Sequence, residues 1–135
     1  MIEIRNLPRD RRLDMLFLSL FTPAVPPSGP PSAEHMAEMG RLIEVMSKAG
    51  VLVTTGGIKS RNTAMKIARR QGRVTVEDGP VAGSSLMPAA GYALLRASSR
   101  EELAREVQKF LQIAGDGTCE LIEVFDEAQE ECAAA

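Results

Sequence analysis

The chain has no tryptophan, one tyrosine and four phenylalanines among its 135 residues. So little aromatic surface leaves few platforms for stacked bases, and a formal net charge of −2 supplies no basic footprint for a phosphate backbone. Nucleic acid is therefore not the expected partner. The single histidine and the two cysteines, Cys119 and Cys132, lack the clustered spacing of a zinc site and the density of a secreted disulfide scaffold. No metal is expected, and two scattered thiols fit a reducing cytoplasm. Phosphate loop, dinucleotide fingerprint and nucleophile elbow are all missing, so the sequence implies no cofactor. Long apolar runs are missing too. The most apolar stretch, Leu13 to Phe21, follows Arg11-Arg12 in the order of an export signal, but it is short and Asp14 interrupts its entry. It also falls far below the roughly 20 residues that cross a bilayer. It reads as a buried first strand, and no membrane association is expected.

What is present suits one globular domain: 44% hydrophobic and 25% charged residues suffice for a core without covalent staples. Residues 1–12 form a polar, arginine-rich arm, residues 13–126 the domain, and residues 127–135 an acidic tail. Five of the eight prolines fall between Thr22 and Pro31, which makes that stretch a stiff loop. Ser32 then caps a helix whose apolar face carries Met36, Met39, Ile43 and Met46, with Gly50 as its stop. This methionine stripe is most simply core packing. Val51 to Thr55 is a β-branched strand, loosened at its end by Gly56-Gly57. Residues 63–70 and 73–77 flank Gln71-Gly72 as the arms of a hairpin. Gly91 to Ala97 is a further strand. Ser99-Arg100-Glu101-Glu102 opens a second amphipathic helix with a capping box, Gly115 ends it, and Thr118 to Phe125 is the last strand.

The order strand, helix, strand, hairpin, strand, helix, strand makes two βαβ halves around an inserted hairpin, an α+β ferredoxin-like plait. Two helices cover only one face of such a sheet, yet Leu13 to Phe21 and Tyr92 to Leu95 are apolar on both faces. A second copy covers the other face most simply, so a homodimer is expected.

The run from Thr63 to Pro80, TAMKIARRQGRVTVEDGP, resembles the hairpin and DGPF turn of the YCII-related family. Ala49-Gly50-Val51-Leu52, Gly91 to Leu95 and Ser99 to Glu106 are similar to that family's helix-to-strand junction, post-turn strand and second helix start. The resemblance spans Arg12 to Phe125. It implies a dimeric α/β-barrel of two ferredoxin-like subunits, found in bacteria, mostly of unassigned function and sometimes linked to sigma-factor regulation. A regulatory protein partner follows from that link. The chain departs from the pattern where Val81 replaces the usual Phe and Ala82 to Leu86 replace the usual charged residues. Its last strand ends Glu123-Val124-Phe125-Asp126 instead of in an Arg-Pro pair. In the enzyme-like branch of the family a helix-1 His pairs with an Asp, but the register places that position at Met39, one turn beyond His35.

The candidate catalytic residues are Asp78, as a general base in the turn, and His35, as a proton carrier in the first helical turn. Asp78-Gly79-Pro80 serves equally as turn chemistry. Gly79, Pro80, Ser84 and Ser85 are candidate ligand contacts in a loop rich in small residues. Tyr92 and Arg96 share one strand face and offer a phenol and a guanidinium, with Glu120 or Glu123 as structural partners for the arginine. Two functions fit these residues. One is a non-catalytic dimeric module that binds a small molecule or regulates a partner. The other is a small enzyme performing acid-base chemistry on a compact polar or aromatic metabolite near Asp78.

Overall fold

A computed structural model describes residues 14–25, 29–59, 64–79 and 89–126. Along the chain run β1 (Met15–Pro23), α1 (Ala33–Lys48), β2 (Leu52–Gly57), β3 (Met65–Arg70), β4 (Arg73–Asp78), β5 (Gly91–Ala97), α2 (Arg100–Ala114) and β6 (Gly117–Val124). The 1–12 arm and the 127–135 tail lie outside the described residues. Four strands form an antiparallel sheet in the order β2-β5-β1-β6, while among the described residues β3 and β4 pair only with each other. This α+β arrangement is compatible with a ferredoxin-like plait carrying a hairpin between β2 and β5.

Local chemistry sets the helix ends. Ser32 Oγ accepts from the His35 amide at 3.1 Å, and Ser99 Oγ accepts from the Glu102 amide at the same distance, each satisfying an amide that the first turn leaves without a carbonyl. At the hairpin tip Gln71 and Gly72 adopt φ of 51° and 81°, the pair of positive values of a type I′ turn. That turn matches strand twist and locks the register Arg70 to Arg73 through Met65 to Asp78.

β1 is one of the two central strands, paired with β5 on one side and β6 on the other. Its alternation sends Met15, Phe17, Ser19 and Phe21 toward the helices and Leu16, Leu18 and Leu20 to the opposite face. Phe17, at 2% exposure the largest fully enclosed side chain, centres a core of Met46, Val51, Leu95, Ala97, Leu103 and Val107. Helix α2 supplies Leu103 and Val107 to this core with Leu111 packed against it, while α1 buries Met46, near its C-terminal end, with Leu42 packed against the core. The two helices therefore sit unequally on the sheet.

Three expectations need correction. The second strand continues through Gly56-Gly57, because Gly56 lets the Tyr92 ring lie across it: a Cβ at position 56 would stand 2.6 Å from the Tyr92 hydroxyl. The last strand stops at Val124, and Phe125 is exposed. The methionine stripe is not a core stripe, since Met46 alone is buried and Met36 is 61% exposed.

Candidate functional site

The unequal seating of the helices opens a cavity of about 800 Å³ between α1, α2 and the helix-side face of the sheet. This is within the size range of small-molecule sites. One wall is the α1 stripe of Met36, Met39, Gly40, Ile43 and Met46, and the opposite wall includes Phe21, Leu52, Ala93 and Leu95. Phe110 closes one side from α2, its ring edge-on to Phe21 with centroids 5.1 Å apart. Aromatic pairs prefer this geometry because the positive edge of one ring meets the negative face of the other.

Gly40 is an exposed glycine at the edge of the cavity. It lies one turn from Met36, on the side of the helix that borders the cavity, and a Cβ built there meets nothing within 4 Å. A glycine in a helix interior costs about 1 kcal/mol relative to alanine. Alanine would fit at this exposed position, and the flexible methionines around it form a wall that can adjust to an occupant.

Among the described residues the polar side chains at the cavity are Ser19, His35, Thr55, Tyr92, Glu106 and Cys119. Thr55 Oγ1 donates to the Tyr92 carbonyl at 2.8 Å, which ties edge strand β2 to β5. Glu106 is largely covered and accepts from Lys109 Nζ at 3.1 Å. Burial pushes the Cys119 thiol above its ordinary value, while a hydrogen bond with Ser19 pulls the other way. The folded chain thus holds this thiol neutral to higher pH than the unfolded chain does. Its contribution is intact below the ordinary cysteine value of about 8.5 and is lost as pH rises through the folded value. Unfolding titrations on a Cys132→Ser background should therefore show stability falling more steeply above about pH 8.5 with Cys119 present than with Cys119→Ala. Equal slopes would remove the thiol's burial as a cause.

The residues singled out in the sequence separate in space. His35 and Tyr92 border the cavity. The Tyr92 ring lies across Gly56, on the strand side opposite Leu95, so its phenol is not aimed at the apolar walls. Asp78 is an exposed residue at the base of the hairpin, and no hairpin residue lines the cavity. The Gly79 amide donates to the Ala64 carbonyl at 2.9 Å, closing the hairpin. Pro80, Ser84 and Ser85 lie outside the described residues. Arg96 forms an ion pair with Asp126 instead of Glu120 or Glu123. The reason is the sheet order: β1 separates β5 from β6, so Arg96 reaches over Leu16 to the end of the far strand.

Sequence reasoning missed Ser19, Gly40, Glu106 and Cys119 as cavity residues. The usable signal was Gly40, a helix-breaking residue in the middle of an apolar stripe. Among the described residues no group of three His, Cys, Asp or Glu side chains could hold a metal ion. No described helix is long and apolar enough to cross a membrane.

Fold and site together define an α+β sheet domain with an apolar cleft under one loosely seated helix. No known protein-family model matches the chain, and no curated protein shows significant similarity to it.

Proposed function

We propose that this protein is a non-catalytic module that binds a compact, mainly apolar small molecule in the cleft between α1 and the sheet. The observation that carries the reading is the cleft itself: about 800 Å³ of space, walled by methionine, phenylalanine, leucine and isoleucine. Among the described residues its lining is mainly apolar with a small number of polar groups, a pattern that suits binding and orienting a ligand. His35 borders the cleft without Asp78, so the acid-base pair suggested by the sequence is not assembled within one chain.

The same reading includes a homodimer. Leu16, Leu18, Leu20, Leu94 and Ile122 share the sheet face that no described helix covers, and Ile122 is 62% exposed. A second copy placed on that face would remove this surface from water, in keeping with the two-sheet barrel implied by the resemblance to the YCII-related family. A regulatory protein partner and a cytoplasmic setting belong to the same proposal.

The test uses N-phenyl-1-naphthylamine, a neutral apolar dye whose emission rises on leaving water. The wild-type chain should bind it saturably. Gly40→Ala should keep binding while raising helix stability by about 1 kcal/mol. Gly40→Phe should keep the fold by circular dichroism and weaken dye binding at least tenfold, because the ring enters the open space beside Met36. Unchanged dye affinity in folded Gly40→Phe would sink the cleft as the binding site.

A further inference from the structure

The β3–β4 hairpin is not absorbed by the cleft or by the open sheet face. Its two strands of six residues each stand apart from the four-stranded sheet, and an isolated two-stranded hairpin is marginally stable in water. Paired residues of the register point to one side, so the hairpin has two unlike faces. One carries Lys66, Ala68, Arg70, Arg73, Thr75 and Glu77. The other carries Met65, Ile67, Val74 and Val76, all more than half exposed, together with Arg69 and Asp78.

The two charges on the apolar face have a definite order. Asp78 pairs with Met65 at the base, Ile67 with Val76 in the middle, and Arg69 with Val74 near the tip. Four residues of strand separate the charged rows, about 14 Å, too far for Arg69 and Asp78 to meet within one hairpin. Neither forms an ion pair among the described residues. A face with an acid at one end, a base at the other and aliphatic side chains between is complementary to itself when turned end for end.

We infer that the hairpins of two copies of this chain stack through these faces, the tip of each over the base of the other. A two-fold axis across the strands places Ile67 and Val76 over their own counterparts. It also brings Arg69 of each copy within reach of Asp78 of the other, giving two symmetric ion pairs. The other two-fold arrangement, tip over tip, sets Arg69 beside Arg69 and Asp78 beside Asp78, so charge selects the first. The footprint of two six-residue strands is about 20 Å by 10 Å, or about 400 Å² over both copies, well below the roughly 1,200 Å² of a standard interface, so the contact is weak and concentration-dependent. The contact is separate from the homodimer through the open sheet face and does not require it.

The test is crosslinking of the full chain by a short bismaleimide, with Cys119→Ser and Cys132→Ser removing the native thiols. Val76→Cys in that background should yield a covalent dimer, and Thr75→Cys, on the opposite hairpin face, should not. Adding Arg69→Asp or Asp78→Arg alone should lower the Val76→Cys yield at least fivefold, and combining them should restore it, since the reversed charges still alternate end to end. These positions are exposed and remote from the core, so circular dichroism should be unchanged in all variants. Leu18→Lys, on the open sheet face, should leave the crosslink intact even if it dissolves the other interface. Equal crosslinking from Val76→Cys and Thr75→Cys, single reversals without effect, a double reversal that fails to recover, or loss of the crosslink in folded Leu18→Lys would each overturn the inference.

Discussion

Phe17→Ala should destabilise the chain by about 3–5 kcal/mol, the range for removing a fully enclosed aromatic side chain. Domains of this kind unfold at a cost of about 5–15 kcal/mol, so much of the folded population could be lost. The size of the effect follows from the position of β1. Phe17 lies on a central strand, opposite Leu95 on β5 and Glu123 on β6, and packs into the cluster formed with Met46 and α2. The strand pairing on both sides fixes the backbone of β1, so the void is filled only as far as the side chains of Met46, Leu95, Leu103 and Val107 can relax toward it. Phe21→Ala should cost less, because the same strand at that point borders the open cleft, where part of the ring already has no protein neighbour. Urea unfolding of the two variants checks the order. Equal losses would mean that the cleft wall is as tightly packed as the core.

Arg96→Met should cost about 2–4 kcal/mol, the second large effect. Asp126 is only 6% exposed in its side chain and Arg96 21%, so the substitution leaves a covered carboxylate without its guanidinium. Removing one partner of such a pair costs more than the pair is worth, because the remaining charge keeps its desolvation penalty. Asp126→Asn should cost less: the arginine is the more exposed partner and can recover hydration, while an amide oxygen still accepts its hydrogen bond. The asymmetry between the two substitutions, read as unfolding midpoints at one pH, is the informative quantity. A larger loss for Asp126→Asn would reverse the account of which charge is trapped. Since the pair bridges β5 and β6 over Leu16, its loss should also increase hydrogen exchange at the end of β6.

The parts of this fold legible in the sequence were those fixed by neighbours along the chain. Ser32 and Ser99 cap helices through bonds three residues away, and Gln71-Gly72 turns through its own backbone angles. Element order then pointed to the observed α+β arrangement of a mostly antiparallel sheet with two helices. What stayed hidden depends on tertiary placement. The partner of Arg96 required the sheet order, because the strand beside β5 is β1 and not β6. The methionine stripe has the same period whether its helix presses on a sheet or stands off it, so Met36 and Met39 looked like core. The turn at Asp78-Gly79 correctly marked the end of a hairpin, yet the cavity lies on the helix side of the other sheet. A short motif locates itself on the chain but carries no information about which layer it faces.

The single buried residue of α1, Met46, lies in its last turn, while Met36 near the other end is mostly in solvent. One helix therefore runs from an end fixed by Met46, with Leu42 packed beside it, through half-buried Ile43 and Met39 to an exposed N-terminal turn that begins at the Ser32 cap. An apolar occupant beneath it would replace missing neighbours along the less buried half, so occupancy would be reported as added helix order with little displacement of the sheet. The entropy lost in that ordering sets a tax on affinity that falls with every contact a ligand makes beyond Met46 toward Met36. Longer apolar ligands would gain from the helix itself as well as from the cleft.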